Sequence, residues 1–519
     1  MGSTAIGQLP YRIDSTFGTD GIVIPGYPSD LNAYQQSTFF MDVMPDNKIL
    51  LAGSNLNNLI SLTRLLDDGR VDSSFGSNGI ASFSKGGEFR HLTITSGGEI
   101  ILTGTAHASA ASFFSVAKLT TTGAPAPGFG VNGVVNIPSQ LQWEMNSYSD
   151  VQPDGKILTC GSYSPSGMGP YRYKVVRLLP NGTMDPAFGT GGYVVCSFAE
   201  LDQHAPISNS ASVVKALPGG KFLVAGSFVD TATMTNSLFL VRYLSDGTPD
   251  ISFGANGLCT VVRGPNENFT PNDLFVDSLG GIFVVGEHDG LFPTRTGVIK
   301  ISGNGVHDGA YGTGGIASIN LFDRSAFYRW FGAALYQDTA LLIVGNTDTG
   351  MNASYGVCRL NSSGTIDSSF GVHGVFAYER NLWDHCRTMA VQSTGDILLA
   401  GDGKSSAVND TFYTTCVRIT NRPFPNKVSP IRNDDPQIML YPNPSYSGVF
   451  NLRLMGEGQL SRIQVVDIHG RLIDDIEIDS RNGKEFSYKL PGGSTGAIYF
   501  MTYQLKGGQQ SRGIKMLTR

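Results

Sequence analysis

No run of about 18 apolar residues occurs in this 519-residue chain, so no helix is expected to span a membrane. The first ten residues hold no basic segment followed by an apolar core, so no signal peptide is expected there. Ile6 stands where a myristoylation pattern needs Ser or Thr. Basic residues are not in excess: 37 Lys and Arg face 43 Asp and Glu, a net charge of −6. That balance argues against nucleic acid as the main partner. The six cysteines form no CxxC, so no zinc or other metal site is expected, and most are read as buried free thiols. Serine-hydrolase, HExxH, Walker and EF-hand motifs are all missing, so the reading names no catalytic residue and no cofactor.

Glycine, by contrast, is abundant at 65 residues, without low complexity. Many tight turns, and hence many short strands, follow from that. A repeat organises them. Phe-Gly followed by a second Gly begins at Phe17, Phe75, Phe129, Phe188, Phe253 and Phe370, and as Tyr-Gly at Tyr311. The intervals run from 54 residues (Phe75 to Phe129) to 65 (Phe188 to Phe253). An apolar strand after a PDGK-type turn ends at Gly53, Gly104, Gly161, Gly226, Gly286, Gly345 and Gly401. A third strand ends in a basic residue: Arg64, Lys118, Arg177, Arg242, Lys300, Arg359 and Arg418. Each unit thus holds about four short strands and no helical period. Seven such units predict an all-β, seven-bladed β-propeller with four-stranded blades.

The turn after the basic strand carries Gly at a fixed place, as at Gly69, where a three-residue hairpin loop needs a left-handed residue. That loop sets Arg64 opposite Asp72. The same offset pairs Arg177 with Asp185, Arg242 with Asp250, Lys300 with Asp308 and Arg359 with Asp367. Lys118 meets Ala126 instead. Such cross-strand pairs stabilise by roughly 0.2–1 kcal/mol each and are read as structural ion pairs. The chain opens on an Asp14/Phe17 piece without its basic strand and leaves Arg418 without its Phe-Gly piece. A ring resolves both: the N-terminal strand closes the last blade, with Arg418 opposite Asp14.

The three pieces together resemble the delta-60 repeat family of bacterial proteins over residues 12–420 and, more loosely, NHL-type propellers. The resemblance implies a propeller and assigns no activity. Residues 1–11 are expected to be a disordered lead-in, and 421–436 a Pro-rich linker. Residues 437–519 show about seven short strands, which points to a small immunoglobulin-like β-sandwich. Tyr441, Pro442, Asn443 and Pro444 with Gly448, the segments 467–471 and 496–500, and the basic ending 515–519 resemble the C-terminal sorting domain of type IX secretion in Bacteroidetes. That resemblance implies export by the type IX machinery, to the medium or the outer-membrane surface.

Departures from the repeat carry the functional reading. Segments before the innermost strands should lie at one rim. They hold Trp143, Trp330 and Trp383, with Glu144, Tyr148, Arg329, His385, Arg387, Arg90 and His91 nearby. Aromatic and Arg side chains in a concave mouth suit a surface carbohydrate or protein ligand, as in an adhesion scaffold. The competing reading has the tryptophans filling space between blades. An enzyme acting on polysaccharide or peptide at the mouth is the alternative. Glu144 and Asp384 would then be its carboxylates, which need a separation of roughly 5–9.5 Å.

Overall fold

A computed structural model describes residues 11–19, 21–25, 37–54, 60–83, 87–108, 111–137, 143–164, 171–195, 208–229, 234–262, 264, 267–289, 295–319, 332–338, 340–348, 353–371, 373–378, 384–404, 412–421, 438–441, 449–454, 460–467, 472–478, 485–490, 498–505 and 514–517. Among them there is no α-helix and no candidate membrane-spanning helix. The chain divides into two compact units, Thr16–Arg418 and residues 1–15 with 419–519.

Seven antiparallel sheets follow one another along the chain. The third is typical: Trp143–Val151, Ile157–Ser164, Arg172–Leu178 and Tyr193–Val195, each paired with the next. The seventh holds Asp384–Val391, Ile397–Lys404 and Phe412–Thr420 and takes its edge from the N-terminus. There Ile22 and Val23 pair with Val417 and Cys416, and Arg12 and Ile13 with Thr420 and Ile419. The first strands of the seven sheets touch in sequence, and the seventh touches the first, so the ring is closed. The unit is a seven-bladed propeller, and closure leaves the ring of blades without an open end.

The middle strands are apolar on both faces because each blade is covered on both sides. Ile157–Ser164 is buried along its whole length. The cores lie between blades: Leu158, Cys160 and Tyr173 of the third pack on Val214, Phe222 and Phe239 of the fourth. Phe17, Val23, Met41, Leu51, Leu398 and Cys416 make the corresponding core between blades seven and one. Five cysteines are buried free thiols, and Cys196 lies outside the described residues.

The reference glycine has a steric cause. Six inner strands carry a β-bulge opposite it, between Asn146 and Tyr148 in blade three, and in blade six that position lies outside the described residues. The bulge drives the inner backbone toward the second strand. A Cβ on Gly161 would collide with the Met145 carbonyl oxygen and lie 2.8 Å from the Phe114 ring. Gly161→Ala should therefore cost about 1–3 kcal/mol or more. A denaturant midpoint equal to that of the parent would contradict this.

The basic residue of the third strand is an inter-blade clamp. Arg177 Nε lies 2.9 Å from Asp185 Oδ2, and both side chains are buried. The guanidinium also donates to the Ser245 carbonyl of the next blade and sits 4.4 Å from the Phe188 ring centroid. Arg64–Asp72, Arg242–Asp250 and Arg359–Asp367 repeat the 2.9 Å contact. A lysine from the PDGK-type turn joins the same carboxylate, Lys156 at 3.3 Å and Lys221 at 2.8 Å. Arg418 lies over Phe17 at 4.7 Å and donates to the Asp67 carbonyl, which carries the clamp across the closure.

Two blades differ. In the second, where Ala126 replaces the acid, the charges are exchanged: Lys118 Nζ meets Glu99 at 2.8 Å, from the turn position that holds Lys48, Lys156 and Lys221 in blades one, three and four. In the fifth, the backbone register is kept, with Asp308 N–H donating to the Lys300 carbonyl. The side chains part: Lys300 Nζ sits over the rings of Phe283 and Tyr311, and no ion pair joins it to Asp308. A lysine lacks the fork that lets arginine hold a carboxylate and a carbonyl together.

In the C-terminal unit, Ile438–Tyr441, Val449–Leu454 and Glu485–Lys489 form one sheet. Leu460–Asp467, Leu472–Glu477, Ile498–Leu505 and Ile514–Leu517 form another. Phe450 and Tyr488 of the first share a core with Ile463, Val465, Tyr499 and Met501 of the second. Pro442, Asn443, Pro444 and Gly448 lie outside the described residues.

Candidate functional site

At the hub, seven inner strands present two tiers of side chains. Opposite the residue three before the reference glycine stand Asp42, Thr93, Asp150, Lys215, Phe275, Ala334 and Ala390. Two positions earlier stand Phe40, His91, Tyr148, Val213, Asp273 and Thr388, with Gly332 bonded to Val344 in blade six. Between them lies a cavity of about 250 Å³. Asp42, Asp150, Asp273, Lys215, His91 and Tyr148 line it, with Glu287 and Arg387.

These groups form one network. Lys215 Nζ lies 3.2 Å from Asp150 Oδ2, which also accepts from Ala216 N–H at 2.9 Å. Tyr148 donates to Asp273 Oδ1 at 2.9 Å, across 125 residues of sequence. His91 stacks on Tyr148 with centroids 3.5 Å apart, and Phe40 meets His91 edge-on at 5.8 Å. His91 Nδ1 is 3.2 Å from Ser149 Oγ.

Burial sets the protonation. It lowers His91 to about 3, with Lys215 adding to the effect, so the imidazole is neutral. Asp42 and Asp273 are each raised to about 6, mainly by burial. Backbone N–H donors and Lys215 pull both down, and Asp150 pushes both up. Burial alone would lower Lys215, but Asp150, Asp273 and Asp42 outweigh it and hold the ammonium charged.

Asp273 titrates near 6 in the folded chain against an ordinary 3.8. Its stabilising proton is therefore fully in place below pH 3.8 and lost as pH rises through 6. Asp273→Asn should raise Tm at pH 7.5 by about 1–3 °C and leave it nearly unchanged at pH 4. An equal shift at both pH values would contradict the burial of this carboxylate.

Three of the residues singled out in the sequence meet at this cavity: His91, Tyr148 and Arg387. Arg387 is held by Asp402. The others are elsewhere. Glu144 is fully buried, with Oε1 2.7 Å from Lys174 Nζ, so it presents no carboxylate to a ligand. Arg90 pairs with Glu88. His385 is buried beside Asn346, and burial lowers it to about 4. Trp330, Arg329 and Trp383 lie outside the described residues, as do the side chains of Trp143 and Asp384.

The reading missed Asp42, Asp150, Lys215 and Asp273. The available signal was a charged residue near the end of the strand before the PDGK-type turn, in FFMDV, SYSDV, VVKAL and PNDLF. Among the described residues, no group of three or more His, Cys, Asp and Glu side chains could hold a metal ion.

The molecule is thus an all-β repeat propeller with an attached two-sheet unit. Residues 152–188, 218–253 and 341–370 match the family described as "Domain of unknown function (DUF5122) beta-propeller". Residues 439–515 match "Secretion system C-terminal sorting domain". The chain carries a propeller of the DUF5122, or delta-60, type and a type IX sorting domain, and it is a secreted protein. Among curated proteins none matches the sequence.

Solved structures with a similar fold include an ulvan lyase of polysaccharide lyase family PL25 (TM-score 0.42, 10% identity, 74% of this chain and 94% of that one). Another is the β-propeller domain of the trilobed protease from Pyrococcus furiosus (0.37, 10%, 77% and 99%). A third is the aldose sugar dehydrogenase from Streptomyces coelicolor (0.33, 10%, 77% and 98%). These likenesses concern fold alone.

Proposed function

We propose that the protein is a type IX-exported binding scaffold of the outer-membrane surface or medium, and that its hub cavity is the ligand site. One observation carries the reading: eight ionisable side chains from six of the seven blades line a single cavity. Convergent polar groups in a concave, partly aromatic site are what a small ligand needs for orientation. At about 250 Å³ the space lies just under the roughly 300–1,000 Å³ of drug-sized sites, which fits one sugar unit or one side chain of a protein ligand. Asn272→Trp fills the cavity from the bulge of blade five. Titration with a panel of soluble glycans and peptides should give a ligand whose binding Asn272→Trp abolishes at unchanged Tm. Undiminished binding by that variant would place the site elsewhere.

One feature supports a second reading, a hydrolase at the mouth. Asp42 and Asp273 titrate near 6 beside Asp150 and Lys215, an arrangement able to separate an acid from a base. Turnover of a polysaccharide or peptide that Asp42→Asn or Asp273→Asn abolishes would establish it, and turnover that survives both substitutions would exclude it.

A further inference from the structure

We infer that the hub cavity selects a small molecule bearing a protonated amine, with Asp42 and Asp273 as its counter-ions and the Tyr148–His91 pair as its wall. The inference rests on the cavity being a binding site and adds the charge of the ligand.

It follows from the charges that face the cavity. Asp150 has its cation, Lys215, at 3.2 Å. Arg387 is held by Asp402. Among the described residues no cation lies within ion-pair distance of Asp42 or Asp273. Asp42 accepts from Val43 N–H at 2.8 Å, and Asp273 from Leu274 N–H and Tyr148. Neutral donors of this kind orient a carboxylate without pairing its charge, and Lys215, engaged with Asp150, acts on both acids only from beyond ion-pair distance. Asp42, Asp150 and Asp273 thus share the lining with one ammonium group, that of Lys215.

The histidine does not redress this. His91 is neutral because burial holds its pKa near 3. A neutral imidazole stacked on a phenol ring offers a π-face instead of a competing positive charge. An ammonium group over the face of Tyr148 is attracted by the ring quadrupole, and more strongly as it is desolvated. The walls thus favour a cation twice, by charge and by ring. The described residues hold no metal-ligating cluster, so the chemistry points to an organic ammonium in place of a divalent ion.

The pH dependence follows from the same groups. Asp42 and Asp273 share the cavity lining with Asp150, Lys215, Tyr148, His91, Glu287 and Arg387. Below pH 6 the two carboxyls take protons and lose their attraction for a cation.

Calorimetric titration of the full chain with glucosamine and N-acetylglucosamine tests the inference, because the two differ in the charge on nitrogen. Glucosamine should bind at least about tenfold more tightly at pH 7.5. The preference should shrink at least about fivefold at pH 5 and vanish in the Asp42→Asn/Asp273→Asn double variant, whose Tm shows that it is folded. Equal affinity for the two sugars, with binding still lost in Asn272→Trp, would overturn the amine assignment and leave the cavity as a binding site. Calcium chloride displacing glucosamine would overturn it in favour of a metal. Absence of heat with glucosamine, ethanolamine and spermidine alike would also overturn it. The glycan and peptide panel would then decide the broader reading separately.

Discussion

Replacing Lys174 by Met is expected to destabilise the propeller by about 3–5 kcal/mol, because it strands the Glu144 carboxylate in a dry interior. Glu144 is 0% exposed and Lys174 4%, and their charged atoms are 2.7 Å apart. Lys174 also lies near the rings of Phe114 and Tyr193, which leaves little room for water to replace it. The double change Glu144→Leu with Lys174→Met removes both charges at once. It should recover most of the loss, since a buried pair replaced by apolar side chains is often neutral in stability. Chemical denaturation of the two single variants and the double variant closes the cycle. A double variant as unstable as the sum of the singles would show that the two charges do not compensate each other.

Arg177→Ala should cost a similar amount, about 3–5 kcal/mol, for a different reason. The guanidinium serves three partners at once: Asp185, the Ser245 carbonyl and the Phe188 ring. Two of these lie within blade three, and Ser245 belongs to blade four, so the change loosens an interface as well as a pair. Arg177→Lys should rescue only part of the loss, because an ammonium cannot reach carboxylate and carbonyl in one plane. Lys300→Ala is the internal comparison. Its ammonium touches only ring faces, worth about 0.5–1 kcal/mol. Equal losses at positions 177 and 300 would contradict the clamp.

The repeat made the fold legible before any coordinate was known. Seven copies in constant order fixed the blade number, and the incomplete first and last copies required closure. The loop ending at Gly69 also gave the backbone register, which holds even for Lys300 and Asp308. What that register could not supply was side-chain reach. Arg64 and Lys300 occupy one column yet choose different partners, and Lys118 finds its acid at Glu99 in the PDGK-type turn, a position the pairing offset does not reach.

The hub was less legible for a related reason. Asp42, Thr93, Asp150 and Lys215 share a column in which no residue type is held by more than two of the seven blades. A search for repetition passes over such a column. Tyr148 and Asp273 are neighbours only because the ring closes around them. The emphasis on tryptophan followed side-chain size, whereas the acids near the ends of the inner strands were the more informative departure.

A crystal structure of the protein with glucosamine bound at pH 7.5 is the most direct measurement of the central claim. The account predicts the sugar inside the ring of first strands, its nitrogen within hydrogen-bonding distance of Asp42 and Asp273 and its ring against Tyr148. Sugar found only on the outer faces of the blades, with the hub empty, would contradict it.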